Sequence, residues 1–127
     1  MFPVTEQLLE RHIPNATDAT NQVLLIAPFD MKLVSVSSRH RVASTSGTLD
    51  IVKAASATAL SAGTSLLDST MSLSGTADTT VNADLKDGDV GETIIPKGSA
   101  LGLVFAGTLT NLADLDITFR IRQVRKY

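Results

Sequence analysis

The sequence predicts an all-β fold: an antiparallel β-sandwich, jelly-roll-like, with an N-terminal arm. Three observations carry this. First, the C-terminal segment alternates strictly, with Ile117, Phe119 and Ile121 set between Asp116, Thr118, Arg120 and Arg122. A two-residue period with one greasy and one charged side is the mark of an antiparallel sheet that is wet on one face. Second, turn signals cut the chain into roughly seven or eight short apolar segments, a spacing that suits a sandwich or barrel. Third, the chain is 43% hydrophobic yet holds four Phe, one Tyr and no Trp. The core is therefore built of Val, Ile and Leu. The missing Trp ranks a jelly roll ahead of an immunoglobulin-like sandwich. At 127 residues the chain has the size of one domain, divided here into an arm at 1–19 and a sandwich at 20–127.

In the arm, Leu8, Leu9 and Ile13 can line one side of a helical turn, because 9 and 13 are an i, i+4 pair. Pro14 would end that turn, and 15–21 is polar and turn-like. The five-residue run Gln22-Val23-Leu24-Leu25-Ile26, stopped by Ala27-Pro28, is consistent with a buried strand. Pro28-Phe29-Asp30 turns the chain into a long half-buried strand from Met31 to Val42. Val34, Val36, Ser38, His40 and Val42 share one face of it, and Leu33 breaks the alternation.

After the turn at Ser44-Thr45-Ser46-Gly47, Thr48 to Lys53 forms the next strand, with Leu49 and Ile51 inward. The stretch 54–62 is rich in Ala, Ser and Thr. Without an apolar stripe it reads as a loop with at most one helical turn. Gly63 ends it, and Leu66, Leu67, Met71 and Leu73 anchor the next segment to the core. Thr79 to Leu85 alternates again, and Lys86-Asp87-Gly88-Asp89 is a hairpin signal. Thr93-Ile94-Ile95 and Leu101 to Phe105 are strands, separated by Pro96-Lys97-Gly98. Thr110 to Asp114 turns the chain into the last strand.

The composition excludes several classes of function. There are no cysteines, so no disulfide framework, thiolate metal site or cysteine nucleophile exists. The formal charge is −2, whereas nucleic-acid binders carry a basic surplus. Arg120, Arg122, Arg125 and Lys126 are too few to reverse that, and read as solvated strand-face charges. No apolar run is long enough to span a bilayer as a helix. The N-terminus shows no basic segment followed by an apolar one, the mark of a secretory signal. The Asn15-Ala16-Thr17 sequon has no meaning without secretion.

No catalytic set stands out. His12 lies in the arm and His40 on a strand, and no Gly-x-Ser-x-Gly elbow occurs. The carboxylates Asp84, Asp87, Asp89 and Glu92 lack the spacing of a calcium loop and read as a solvated hairpin tip. The spacing of Gly98, Gly102 and Gly107 makes no phosphate cradle. Scarce aromatics disfavour stacking on sugars or bases. The expectation is a non-enzymatic protein with no catalytic residue, no metal and no cofactor.

The order of segments carries a resemblance. "LLIAPFDMKLVSVS", "GTLDIVKA", "TALSAGTSLL", "LSGTADTTVNADL" and the closing "IPKGSALGLVFAGTLTNLADLDITFRIR" together span about residues 22–122. This order resembles the small capsid decoration (cement, head-fibre) proteins of tailed bacteriophages. The resemblance implies a β-sandwich or jelly roll that acts as a homotrimer on the phage major capsid protein. Its location would be the outer capsid surface of the virion, after synthesis in the host cytoplasm, without nucleic acid or membrane as partner. The family supplies no catalytic residues. The arm has no counterpart in it, and its apolar residues Phe2, Val4, Leu8, Leu9 and Ile13 are the candidate protein interface. The competing reading is a tail or fibre module that recognises a host surface glycan through polar loops.

Overall fold

The computed structural model describes residues 6–86 and 93–124. Phe2, Val4, the Asp87-Gly88 hairpin signal, Asp89, Glu92, Arg125 and Lys126 lie outside the described residues.

Among the described residues, ten strands form two antiparallel sheets. The strands are β1 (Glu6–Asn15), β2 (Gln22–Ile26), β3 (Met31–Val42), β4 (Thr48–Ala54), β5 (Thr64–Ser65), β6 (Met71–Ser72), β7 (Val81–Asn82), β8 (Ile94–Ile95), β9 (Ala100–Ala106) and β10 (Ala113–Gln123). In the first sheet the order is β1-β10-β3, and β7 and β8 both pair along β3. The second runs β2-β9-β4, with β5 and β6 both pairing along β4. Counting β5 with β6, and β7 with β8, as single interrupted strands gives the winding of a jelly roll. Nearly every connection crosses from one sheet to the other.

The core lies between the sheets. Leu33 and Val36 of β3, Leu49 and Ile51 of β4, Leu101 and Leu103 of β9, and Leu115, Ile117, Phe119 and Ile121 of β10 are all buried. Leu66, Leu67, Met71 and Leu73 join it, as expected of anchors after Gly63. Each such side chain contributes about 1.5–3 kcal/mol by leaving water.

Two β-bulges account for the places where alternation fails. In β3 the pairing passes from Ser35↔Arg120 to Leu33↔Ile121, so Val34 is an extra residue. Leu33 and Val36 both point inward, and Val34 is pushed aside to a half-buried position. The face expected from Val34 to Val42 is thus corrected at its first member. In β2 the pairing passes from Val23↔Gly102 to Leu25↔Leu101, leaving Leu24 extra. That lets Val23 and Ile26 both face outward. The run 22–26 is therefore an edge strand with two exposed apolar residues, not a buried one.

The arm departs from expectation as well. Residues 6–15 form no helical turn; they extend as β1 and pair along β10 from Glu6↔Arg122 to Asn15↔Ala113. Extended backbone wins because β10 offers an unpaired edge, and Pro14 is tolerated on an edge strand. The stretch 54–62 is a loop ending in a single 3-10 turn at Leu60–Ala62, as its composition suggests. Gly107, which ends β9, has φ +77, and a Cβ there would collide with the Ser46 carbonyl. Only glycine serves at that corner.

Candidate interaction surfaces

The outer face of the first sheet is a lattice of charges. Alternation turns Glu6, Leu8, Glu10 and His12 of β1 outward, beside Asp114, Asp116, Thr118, Arg120 and Arg122 of β10 and Lys32, Ser37, Arg39 and Arg41 of β3. Arg120 donates to Glu6, and Arg41 donates through Nε to Asp114. His12 Nδ1 lies 2.6 Å from an Asp116 carboxylate oxygen, and its Nε2 lies 3.6 Å from Asp114. The Arg41 hydrogen bond holds the Asp114 carboxyl below its usual value against an opposing desolvation, and the charges of Arg41 and His12 add to the lowering. These groups sit by a shallow depression lined by Glu10, Arg11, His12, Asp116, Ile117 and Thr118. Both imidazole nitrogens face carboxylates, so neither is aimed at a hydroxyl nucleophile. No group of three or more potential ligands that could hold a metal occurs among the described residues.

His40 belongs to the interior. It is fully buried, and its Nε2 lies 3.0 Å from the Gly75 carbonyl. The carbonyl can only accept, so Nε2 carries the hydrogen. Among the described residues, the buried atoms His40 Nδ1, Ser38 Oγ and Thr93 Oγ1 find no hydrogen-bond partner. Each such atom costs about 1–3 kcal/mol. His40 thus fastens the 73–79 segment to β3 through a backbone carbonyl.

The outer face of the second sheet is different in kind. Val23 and Ile26 of β2, Ala100, Gly102, Val104 and Ala106 of β9, and Thr48, Asp50, Val52 and Ala54 of β4 face outward. The strands of this sheet carry two formal charges, Asp50 and Lys53. Asp50 accepts from Ser65 Oγ at 2.6 Å, and Lys53 Nζ donates to the Ile94 carbonyl at 2.7 Å. Leu60 folds over Gly102 so closely that a Cβ there would lie 2.6–2.7 Å from its methyl groups and 2.9 Å from the Gln22 carbonyl. The loop thus covers Val52, Ala54 and Gly102 and leaves the β2 margin open. There Val23 is 46% and Ile26 59% exposed.

The predicted interface residues divide. Ile13 is buried in the chain's own core, Leu9 packs half-buried against it, and Leu8 is 67% exposed. Sequence reading missed Val23 and Ile26. The one signal was an apolar run too uniform for a half-exposed strand, and a bulge produces that pattern.

No family model and no curated protein matches this chain. Among solved structures, it is similar to a chain of the cyanophage Pam1 capsid asymmetric unit, with a TM-score of 0.55 at 12% identity, covering 98% of this chain and 89% of that one. At that identity the likeness establishes the fold. A chain from the disulfide-linked pili of Bacillus endospore appendages aligns with a TM-score of 0.44 at 11% identity, over 96% of this chain and 89% of that one.

Proposed function

We propose that this chain is a structural virion protein: a capsid decoration, or cement, protein that binds the outer surface of a phage head and stabilises it. The observation that carries the reading is the uneven dressing of the sandwich. One outer face is charged and ion-paired, suited to water. The other is nearly uncharged and exposes Val23 and Ile26 at its margin, suited to a protein surface. The shared fold with a cyanophage capsid chain and the segment order of phage decoration proteins support the same reading. Its partners are the major capsid protein and two further copies of itself. Several weak contacts per trimer then add into one firm attachment. The reading calls for no catalysis, and it is supported by the placement of the histidines: both nitrogens of His12 face carboxylates and His40 is sealed in the core.

The test is binding of the purified chain to heads assembled without it, followed by electron microscopy. Density or antibody label at regular positions over the head is expected. Label confined to the tail, or saturable binding to a host glycan with none to heads, would overturn the proposal.

A further inference from the structure

β1 is the strand least invested in its own domain. Only Ile13 of its ten residues is buried; Leu9 and Arg11 are half-buried and the others are exposed. Among the described residues it hydrogen-bonds to one strand, β10. Its hold is the backbone ladder, the side chains of Ile13 and half-buried Leu9, and a few polar contacts: Glu6 with Arg120, His12 with Asp116 and Asp114, and Arg11 with Gln22. The Glu6–Arg120 and His12–Asp116 contacts join residues 114 and 104 positions apart in sequence. Nothing local requires that the two sides belong to one molecule.

The turn that folds β1 back is built like a hinge with a clasp. Asn15 Oδ1 accepts from the Asp18 amide at 3.1 Å, closing a one-turn 3-10 helix at Ala16–Asp18. Gln22 holds this turn from outside. Its Nε2 donates to the carbonyls of Asp18 at 3.2 Å and Thr20 at 2.9 Å, and its Oε1 accepts from Arg11 at 2.7 Å. The next residue after the turn, Ala19, is buried and pins the chain to its own core. All the freedom needed to swing β1 outward therefore lies between Asn15 and Ala19.

We infer that β1 is an exchangeable strand: in assemblies of this chain, the β10 edge and the Ile13 slot are filled by β1 of a second copy. The closed and exchanged forms share every contact except those of the hinge. The balance between them is set by the clasp and by the local concentration of copies. This inference concerns contacts between copies and stands apart from capsid attachment, so either can fail alone.

The chain has no cysteine, which makes the test direct. Glu10 and Thr118 are register partners on the outer face. Chains carrying only E10C are mixed with chains carrying only T118C at high concentration and mildly oxidised. The expected result is a disulfide between the two chains, well above that of a control mixture of E10C with D50C on the far sheet. Adding Q22A should raise the linked population about fivefold, the equilibrium equivalent of one ordinary hydrogen bond. Linkage no greater than the control, while the double variant E10C/T118C closes within a single chain, would overturn the inference. Energy transfer between dyes at position 10 of one copy and position 118 of another decides the same question without a disulfide. Transfer at strand-pair range supports exchange, and its absence at every concentration refutes it.

Discussion

The two outer faces of the sandwich are made by the same strand geometry and dressed in opposite ways. On the first sheet, arginines and carboxylates stand opposite one another across β1, β10 and β3, and side-chain hydrogen bonds link them. On the second, alanine, glycine and valine line β9 and β4, and a loop leucine covers the middle. Exposed ion pairs contribute little to stability, with a median near zero to about 1 kcal/mol. Apolar contacts gain in proportion to the area they hide. The lesson is that the charged face is specified by solubility, and the plain face by what lies on it.

Substitutions can break this contrast. The largest expected effect is at Gly102. G102V forces a side chain into space held by Leu60 and the Gln22 carbonyl, and should cost roughly 1–3 kcal/mol in urea denaturation. T118V, which puts the same side chain on the charged face with almost no change in volume, should stay within about 0.5 kcal/mol. Equal costs at the two sites would erase the distinction. Next comes the open margin. V23D/I26D should leave the melting temperature nearly unchanged and weaken attachment to phage heads more than about tenfold, or ~1.4 kcal/mol. Unchanged attachment would move the docking face elsewhere.

Salt sharpens the comparison further. Going from about 0.1 to about 1 M shortens electrostatic reach from roughly 10 to roughly 3 Å. Head binding through the plain face should persist, whereas binding through the charged face should collapse. The smallest effect is at Arg41. Its hydrogen bond and charge depress the folded-state pKa of Asp114, so the pair stabilises above the carboxyl's ordinary value near 3.8 and loses that contribution as pH falls through the lower folded value. R41A should therefore lower the melting temperature slightly near neutral pH and match the parent in strong acid. A difference that grows on acidification would contradict the sign.

The sheet class, the inward residues of β10 and the loop anchors were legible because each follows from local alternation or from a turn residue. β1 was not. Its i, i+4 apolar pair fits a helix as readily as a strand, and the choice is made by the vacant edge of β10, about a hundred residues away in sequence. The bulges at Leu24 and Val34 were invisible for a related reason: an inserted residue breaks a period without announcing which neighbour is extra. The His12–Asp116 contact and the clean outer face of the second sheet both arise from pairing register, which no single segment encodes. Phe2 and Val4 lie outside the described residues.

β10 follows the other nine strands in sequence, yet it is the middle strand of its sheet, flanked by β1 on one side and β3 on the other. Until β10 is made, β1 has no strand to pair with among the described residues, and β3 is held only by the two-residue strands β7 and β8 along its other edge. The first sheet therefore closes only once β10 is available, in a step that brings together segments far apart in sequence, His12 and Asp116 being 104 residues apart. Such dependence on distant partners slows folding and leaves nascent chains sticky until β10 emerges. A premature stop before Ala113 would remove the keystone of the sheet along with its last strand.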